Sequence, residues 1–162
     1  MGEMIKVGMA DLKTCKVPDA LTTLGLGSCV GIALYDPATK ISGLAHIMLP
    51  DSTKIRNNQN IAKFADTGIT ELIRQMVAMG ANKSRMVAKI AGGAQMFMMD
   101  SSKSDLMRVG ERNVEAVKEK LAAEHIKILA SDTGLNYGRT VELYSETGDF
   151  VIKSVGKPVK TI

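Results

Sequence analysis

The feature that most constrains this chain is a pair of apolar runs separated by a short turn. Residues 29–35 (Cys-Val-Gly-Ile-Ala-Leu-Tyr) are apolar nearly throughout, and residues 41–49 (Ile-Ser-Gly-Leu-Ala-His-Ile-Met-Leu) follow the turn-forming Asp36-Pro37-Ala38-Thr39-Lys40 until Pro50 stops them. A strand that faces water on one side alternates apolar and polar residues; these do not, so both must be covered on both faces. A hairpin of that kind belongs in the middle of a layered domain.

The rest of the chain supplies the layers. Residues 4–10 read as a short strand, followed by a polar segment to Lys16 and a turn at Pro18-Asp19. Beyond a polar loop at 51–60, Ile61, Phe64, Ala65, Ile69, Leu72, Ile73, Met76 and Val77 recur at three-and-four spacing, predicting a long amphipathic helix closed by Gly80. Residues 85–91 predict a strand ended by Gly92-Gly93, and residues 96–107 an irregular loop. Val114, Val117 and Leu121 mark a second helix. Residues 126–130, 140–144 and 150–155 predict three closing strands. The sum is two main helices and about seven strands, mostly hairpin-linked, in one α+β domain over residues 1–162, an α/β sandwich with antiparallel or mixed sheets.

Composition narrows the function. Apolar residues at 45% and charged residues at 23% suit an ordered globular chain. Aromatics are only 4%, without Trp, so eleven Met fill volume that rings fill elsewhere. The net charge of +4 is scattered among acids, and few rings are available to stack on bases, which argues against nucleic acid. The longest uncharged run, which ends at Tyr35, is too short to span a bilayer, and no secretory signal is visible. A soluble cytoplasmic protein is expected, with Cys15 and Cys29 as free thiols in a reducing compartment. Two thiols without other clustered ligands make no metal site, and no cofactor is implied.

Cys29 and His46 lie on the two arms of the hairpin. If facing residue numbers share a sum of 75, the two are directly opposite. A sum of 77 sets His46 opposite Gly31, on the same face as Cys29 and diagonal to it, about 7–8 Å apart at Cα. An even sum would put them on opposite faces. An imidazole beside a thiol makes the thiolate that attacks carbonyl carbon. The only other histidine, His125, sits at a helix end beside Glu124. The plainer readings are a small core Cys and a satisfied core His, with Cys15 structurally incidental. Gly25-Leu26-Gly27-Ser28-Cys29-Val30 is no dinucleotide fingerprint, because Val30 takes the third glycine position and a strand follows. This glycine-rich segment, Gly27 and Ser28 foremost, frees the backbone and presents N–H groups to an oxyanion, or it forms a bulge between two strands.

Several of these segments resemble the CheD family of chemoreceptor glutamine deamidases. They are residues 23–30 (Thr-Leu-Gly-Leu-Gly-Ser-Cys-Val), 35–37 (Tyr-Asp-Pro), 45–50 (Ala-His-Ile-Met-Leu-Pro), 63–67, 88–94, Gly110-Glu111-Arg112-Asn113 and Asp132-Thr133-Gly134. The resemblance runs in register from about residue 7 to residue 155. It implies a fold similar to the catalytic domain of deamidating bacterial toxins. It also implies conversion of glutamines on the cytoplasmic domains of methyl-accepting chemoreceptors to glutamate, a protein-glutamine glutaminase activity that tunes adaptation. The family's catalytic Cys, His and Thr fall on Cys29, His46 and Thr23, with Thr23 orienting the ring through its hydroxyl or its carbonyl. Many members also bind a CheC-type phosphatase. Leu135 departs from the family, which often has a second Gly there, and Tyr137 replaces a polar residue.

Other functions fit the same residues. One is a binding module for a CheC-type phosphatase, with Gly92, Gly93, Ala94 and Phe97 of the Met-rich loop on its surface. A thiol redox sensor at Cys29 and a receptor methylesterase are weaker alternatives.

Overall fold

A computed structural model describes residues 2–95 and 108–162. The loop expected at residues 96–107 lies outside the described residues. The elements follow in chain order: β1 (Met4–Lys6), β2 (Asp11–Lys16), β3 (Ala20–Leu26), β4 (Val30–Asp36), β5 (Ile41–Ile47), α1 (Ala65–Ala78), β6 (Val87–Gly92), α2 (Val109–Ala123), β7 (Lys127–Thr133), β8 (Arg139–Tyr144), β9 (Phe150–Lys153) and β10 (Lys160–Thr161). They form two five-stranded sheets, in the orders β1-β3-β8-β9-β10 and β2-β5-β4-β6-β7. The fold is α+β, as the sequence implies. Three strands go beyond it: β2 occupies the segment read as polar, β3 runs from Ala20 into the glycines before Cys29, and β10 follows the last strand expected.

The β4–β5 hairpin sits inside the second sheet, flanked by β2 and β6. Its two faces explain its composition. Val30, Ile32, Leu34, Ala45 and Ile47 pack against Ile69, Leu72, Met76, Val117 and Leu121 of the two helices. Cys29, Ala33 and Leu44 face the first sheet, where Leu21, Leu26, Val141, Leu143 and Phe150 meet them. The domain is therefore three layers deep, with helices, inner sheet and outer sheet, and every residue of β4 and β5 is buried. Gly43 lets α1 approach, since a Cβ there would lie 2.7 Å from Met76 Sδ and 2.8 Å from Leu72 Cδ1.

Not all connections are hairpins. β1 runs parallel to β3, and β6 parallel to β7 through α2, because a parallel pair needs a crossover. Helix α1 begins at Ala65, not Ile61. Asn60 caps a 3₁₀ turn over Ile61–Lys63, and Phe64 is then extended, bridging to Leu49, before the helix starts.

The hairpin's turn is held by a buried charge. Asp36 accepts from Arg85 Nε (3.0 Å) and Nη2 (2.9 Å), from the Asn82 amide (2.9 Å) and from the Ala38 amide (3.0 Å). Burial alone would raise its pKa; the Arg85 guanidinium and the two amides overcome that and hold the carboxyl well below the usual carboxylate range.

Candidate functional site

At the other end of the hairpin lie Cys29 and His46. Gly31 pairs with His46 and Val30 with Ile47, so facing numbers sum to 77, the diagonal register. Cys29 and His46 thus share the face that packs on the first sheet. His46 is fully buried and Cys29 nearly so.

Strand β3 of the facing sheet brings the third residue. Thr23 is fully buried, and its Oγ1 lies 2.7 Å from His46 Nδ1 and 2.7 Å from the Val7 carbonyl oxygen. A carbonyl only accepts, so the single hydroxyl proton of Thr23 goes to Val7. Toward the ring Thr23 can then only accept, which requires a proton on Nδ1. The hydrogen-bond pattern therefore fixes the neutral tautomer, with the lone pair on Nε2. Among the described residues Nε2 has no hydrogen-bond partner although it is buried. The arrangement yields an oriented base with its basic nitrogen uncommitted.

Burial acts on both titratable groups. It pushes the Cys29 thiol above its ordinary value, with its own backbone amide opposing weakly, and it lowers the pKa of His46. Both shifts favour the uncharged forms, a neutral thiol and a neutral imidazole.

The backbone before Cys29 is gripped through its carbonyls. Gly27 O accepts from the Ala94 amide (2.8 Å), Cys29 O from the Gly93 amide (2.8 Å), and Ser28 O from Asn113 Nδ2 (3.0 Å). The Gly27 amide donates to Gly25 O (3.0 Å), so among the glycine positions Gly27 serves backbone placement and has no N–H left for a ligand. The pairing of β3 with β8 shifts between Thr23 and Leu26, which is the bulge the glycines permit.

Gly92, Gly93 and Ala94 do not form an exposed surface. All three are buried against the Cys29 loop. Gly92 has φ +107°, and a Cβ there would lie 2.3 Å from Cys29 O, so only glycine fits. Phe97 lies outside the described residues. Leu135, where the resemblance expects glycine, has φ 61°, a left-handed conformation that favours glycine.

Two contributors were not read from the sequence. Val7 acts through a carbonyl, which any residue carries, so no side-chain pattern marks it. Asn113 has a visible signal: it is a polar residue on the buried stripe of α2, with Gly110, Val117 and Leu121. Among the described residues, no group of three or more His, Cys, Asp or Glu could hold a metal ion. No helix among them is long and apolar enough to cross a membrane.

A thiol and an imidazole lie on one inner sheet face, with a hydroxyl fixing the ring's tautomer, an arrangement able to support nucleophilic thiol chemistry. The family model for CheD chemotactic sensory transduction matches residues 48–154. Full-length relatives cover the segment before it. A protein of Lachnoclostridium phytofermentans named probable chemoreceptor glutamine deamidase CheD is 68% identical over 162 residues, all of both chains. One of the same name from Caldanaerobacter subterraneus is 58% identical over 99% of this chain and 98% of its own. The chemoreceptor glutamine deamidase CheD of Halalkalibacterium halodurans is 48% identical over the whole of both. The chain belongs to the CheD family.

Proposed function

We propose that this chain is a protein-glutamine deamidase of chemoreceptors, working in the cytoplasm, with Cys29 as nucleophile, His46 as base and Thr23 as the residue that orients the ring. The observation that carries the proposal is the Nε2 of His46, without a hydrogen-bond partner among the described residues, buried on the face it shares with Cys29 and held in the basic tautomer by Thr23. The relatives' printed names supply the substrate class.

The chemistry starts from the neutral pair. His46 Nε2 takes the Cys29 proton as sulfur bonds to the side-chain amide carbon of a receptor glutamine, and the carbonyl electrons move to oxygen. The amides of Ser28 and Cys29 are our candidates for holding that oxyanion, worth about 3–4 kcal/mol for a well-placed donor. The imidazolium protonates the departing nitrogen and ammonia leaves a thioester. His46 then activates water; the carbon–sulfur bond breaks, glutamate forms and the thiol regains its proton.

The alternative, a regulator whose main task is docking a CheC-type phosphatase, drew on Gly92, Gly93, Ala94 and Phe97. Burial of the first three beneath the Cys29 loop favours catalysis as the main role. The test is mass spectrometry of a receptor cytoplasmic domain after incubation with the protein. The expected result is a gain of about one dalton per converted glutamine, the amide-to-acid change. Cys29→Ala should lower the rate by at least about 10⁴-fold, the scale of losing a nucleophile. Conversion at the parent rate by that variant would sink the assignment.

A further inference from the structure

We propose that Asn113 is a positioning residue that sets the spacing between Cys29 and His46 from helix α2. Its fully buried side chain has one nitrogen with two protons. It spends both on the two segments that carry the reactive pair, donating to Ser28 O and to Met48 O, each at 3.0 Å. Ser28 directly precedes Cys29, and Met48 lies two residues beyond His46. Both acceptors are carbonyls, which fixes the amide's orientation, since its oxygen cannot bond to either. These two segments leave the ladder here: β4 begins at Val30 and β5 ends at Ile47, so strand pairing no longer fixes their separation. The amide of Asn113 fixes it instead.

The same side chain is a poor device for stability alone. Among the described residues its Oδ1 is buried without a partner, and the cost of that acceptor offsets most of what the two donated bonds gain. The inference rests on the catalytic reading above, because spacing matters only if sulfur and ring exchange a proton.

The experiment compares Asn113→Leu and Asn113→Ala with Val117→Ala, a buried neighbour one turn along α2 that is not among the hydrogen-bond donors to either segment. Three quantities are read on the full chain: thermal unfolding, receptor glutamine conversion, and the pH profile of iodoacetamide attachment to Cys29, located by peptide mapping. Both Asn113 variants should lose about 30-fold in kcat with KM within about twofold, the size expected of a sub-ångström misplacement. Their Cys29 pH profile should shift toward that of His46→Ala, while Val117→Ala keeps the parent's profile. The proposal is overturned if the Asn113 variants keep parent kcat and profile, if Val117→Ala loses as much at equal stability, or if neither Asn113 variant folds, which would make the residue structural. Should the parent convert no receptor glutamine, the deamidase reading fails by itself, and the alkylation profiles still decide whether Asn113 sets the pair.

Discussion

The two ends of the β4–β5 hairpin bury titratable groups in opposite ways. At the turn, Asp36 has every strong partner it can use: a two-pronged guanidinium and two backbone amides. At the open end, His46 is just as buried, yet its Nε2 has no partner among the described residues, and burial pushes the Cys29 thiol up. A satisfied buried charge anchors a turn; an unsatisfied buried base stores reactivity at a cost in stability. One hairpin thus keeps the strain of its reactive end beside a fully bonded anchor at the other.

The sharpest way to break this contrast is at the residue that orients the ring. Thr23→Val keeps shape but removes the acceptor for Nδ1–H, leaving the imidazole free to move its proton to Nε2 and lose its role as base. We expect kcat for glutamine conversion to fall about 100-fold, an order seen when a ring is held in the wrong tautomer or general-base catalysis is impaired. Thr23→Ser, which restores the oxygen, should recover most of it. Nitrogen NMR of His46 should show the proton on Nδ1 in the parent. Parent-like turnover in Thr23→Val would mean that the hydroxyl does not govern the ring.

At the anchored end the loss should fall on stability instead. Asp36→Asn removes the charge that Arg85 and two amides bind, and should lower the free energy of unfolding in urea by about 2 kcal/mol. Conversion per folded molecule should stay within about twofold of the parent. An equal loss of turnover would show that the two ends are not separable.

How much of this could be read beforehand follows from the range of each interaction. The hairpin was legible because its apolar runs and turn are local, and so was the shared face of Cys29 and His46 once an odd register was assumed. The choice of 77 over 75 was not, because it depends on where the turn closes on Asp36. Strand β2 hid because it lacks the period-two alternation of a strand: only Leu12 and Cys15, three residues apart, are buried in this strand at the sheet edge. Helix α1 started late because the cap at Asn60 opens a 3₁₀ turn first. Arg85 finds Asp36 across 49 residues and Asn113 finds Ser28 across 85, and no periodicity encodes such meetings.

The smallest expected effect separates the two ends by acid alone. Asp36 is held below its ordinary value of 3.8, so the native state prefers the charged form. Its contribution to stability is complete above 3.8 and drains away as pH falls below it. His46 is lowered from 6.5 by burial, so the native state prefers the neutral ring. Near neutral pH it contributes nothing, but below 6.5 the unfolded chain takes up a proton that the native ring refuses, and stability drops until the lowered pKa is passed. Unfolding free energy measured from pH 8 to pH 3 should therefore decline in two steps. His46→Gln should erase the upper step and leave the lower one. Asp36→Asn should shrink the lower step without erasing it, since Glu71 and Glu124 are also held below their ordinary values by their cationic partners. If the upper step survives in His46→Gln, the ring is not the buried neutral group on which the basic Nε2 depends.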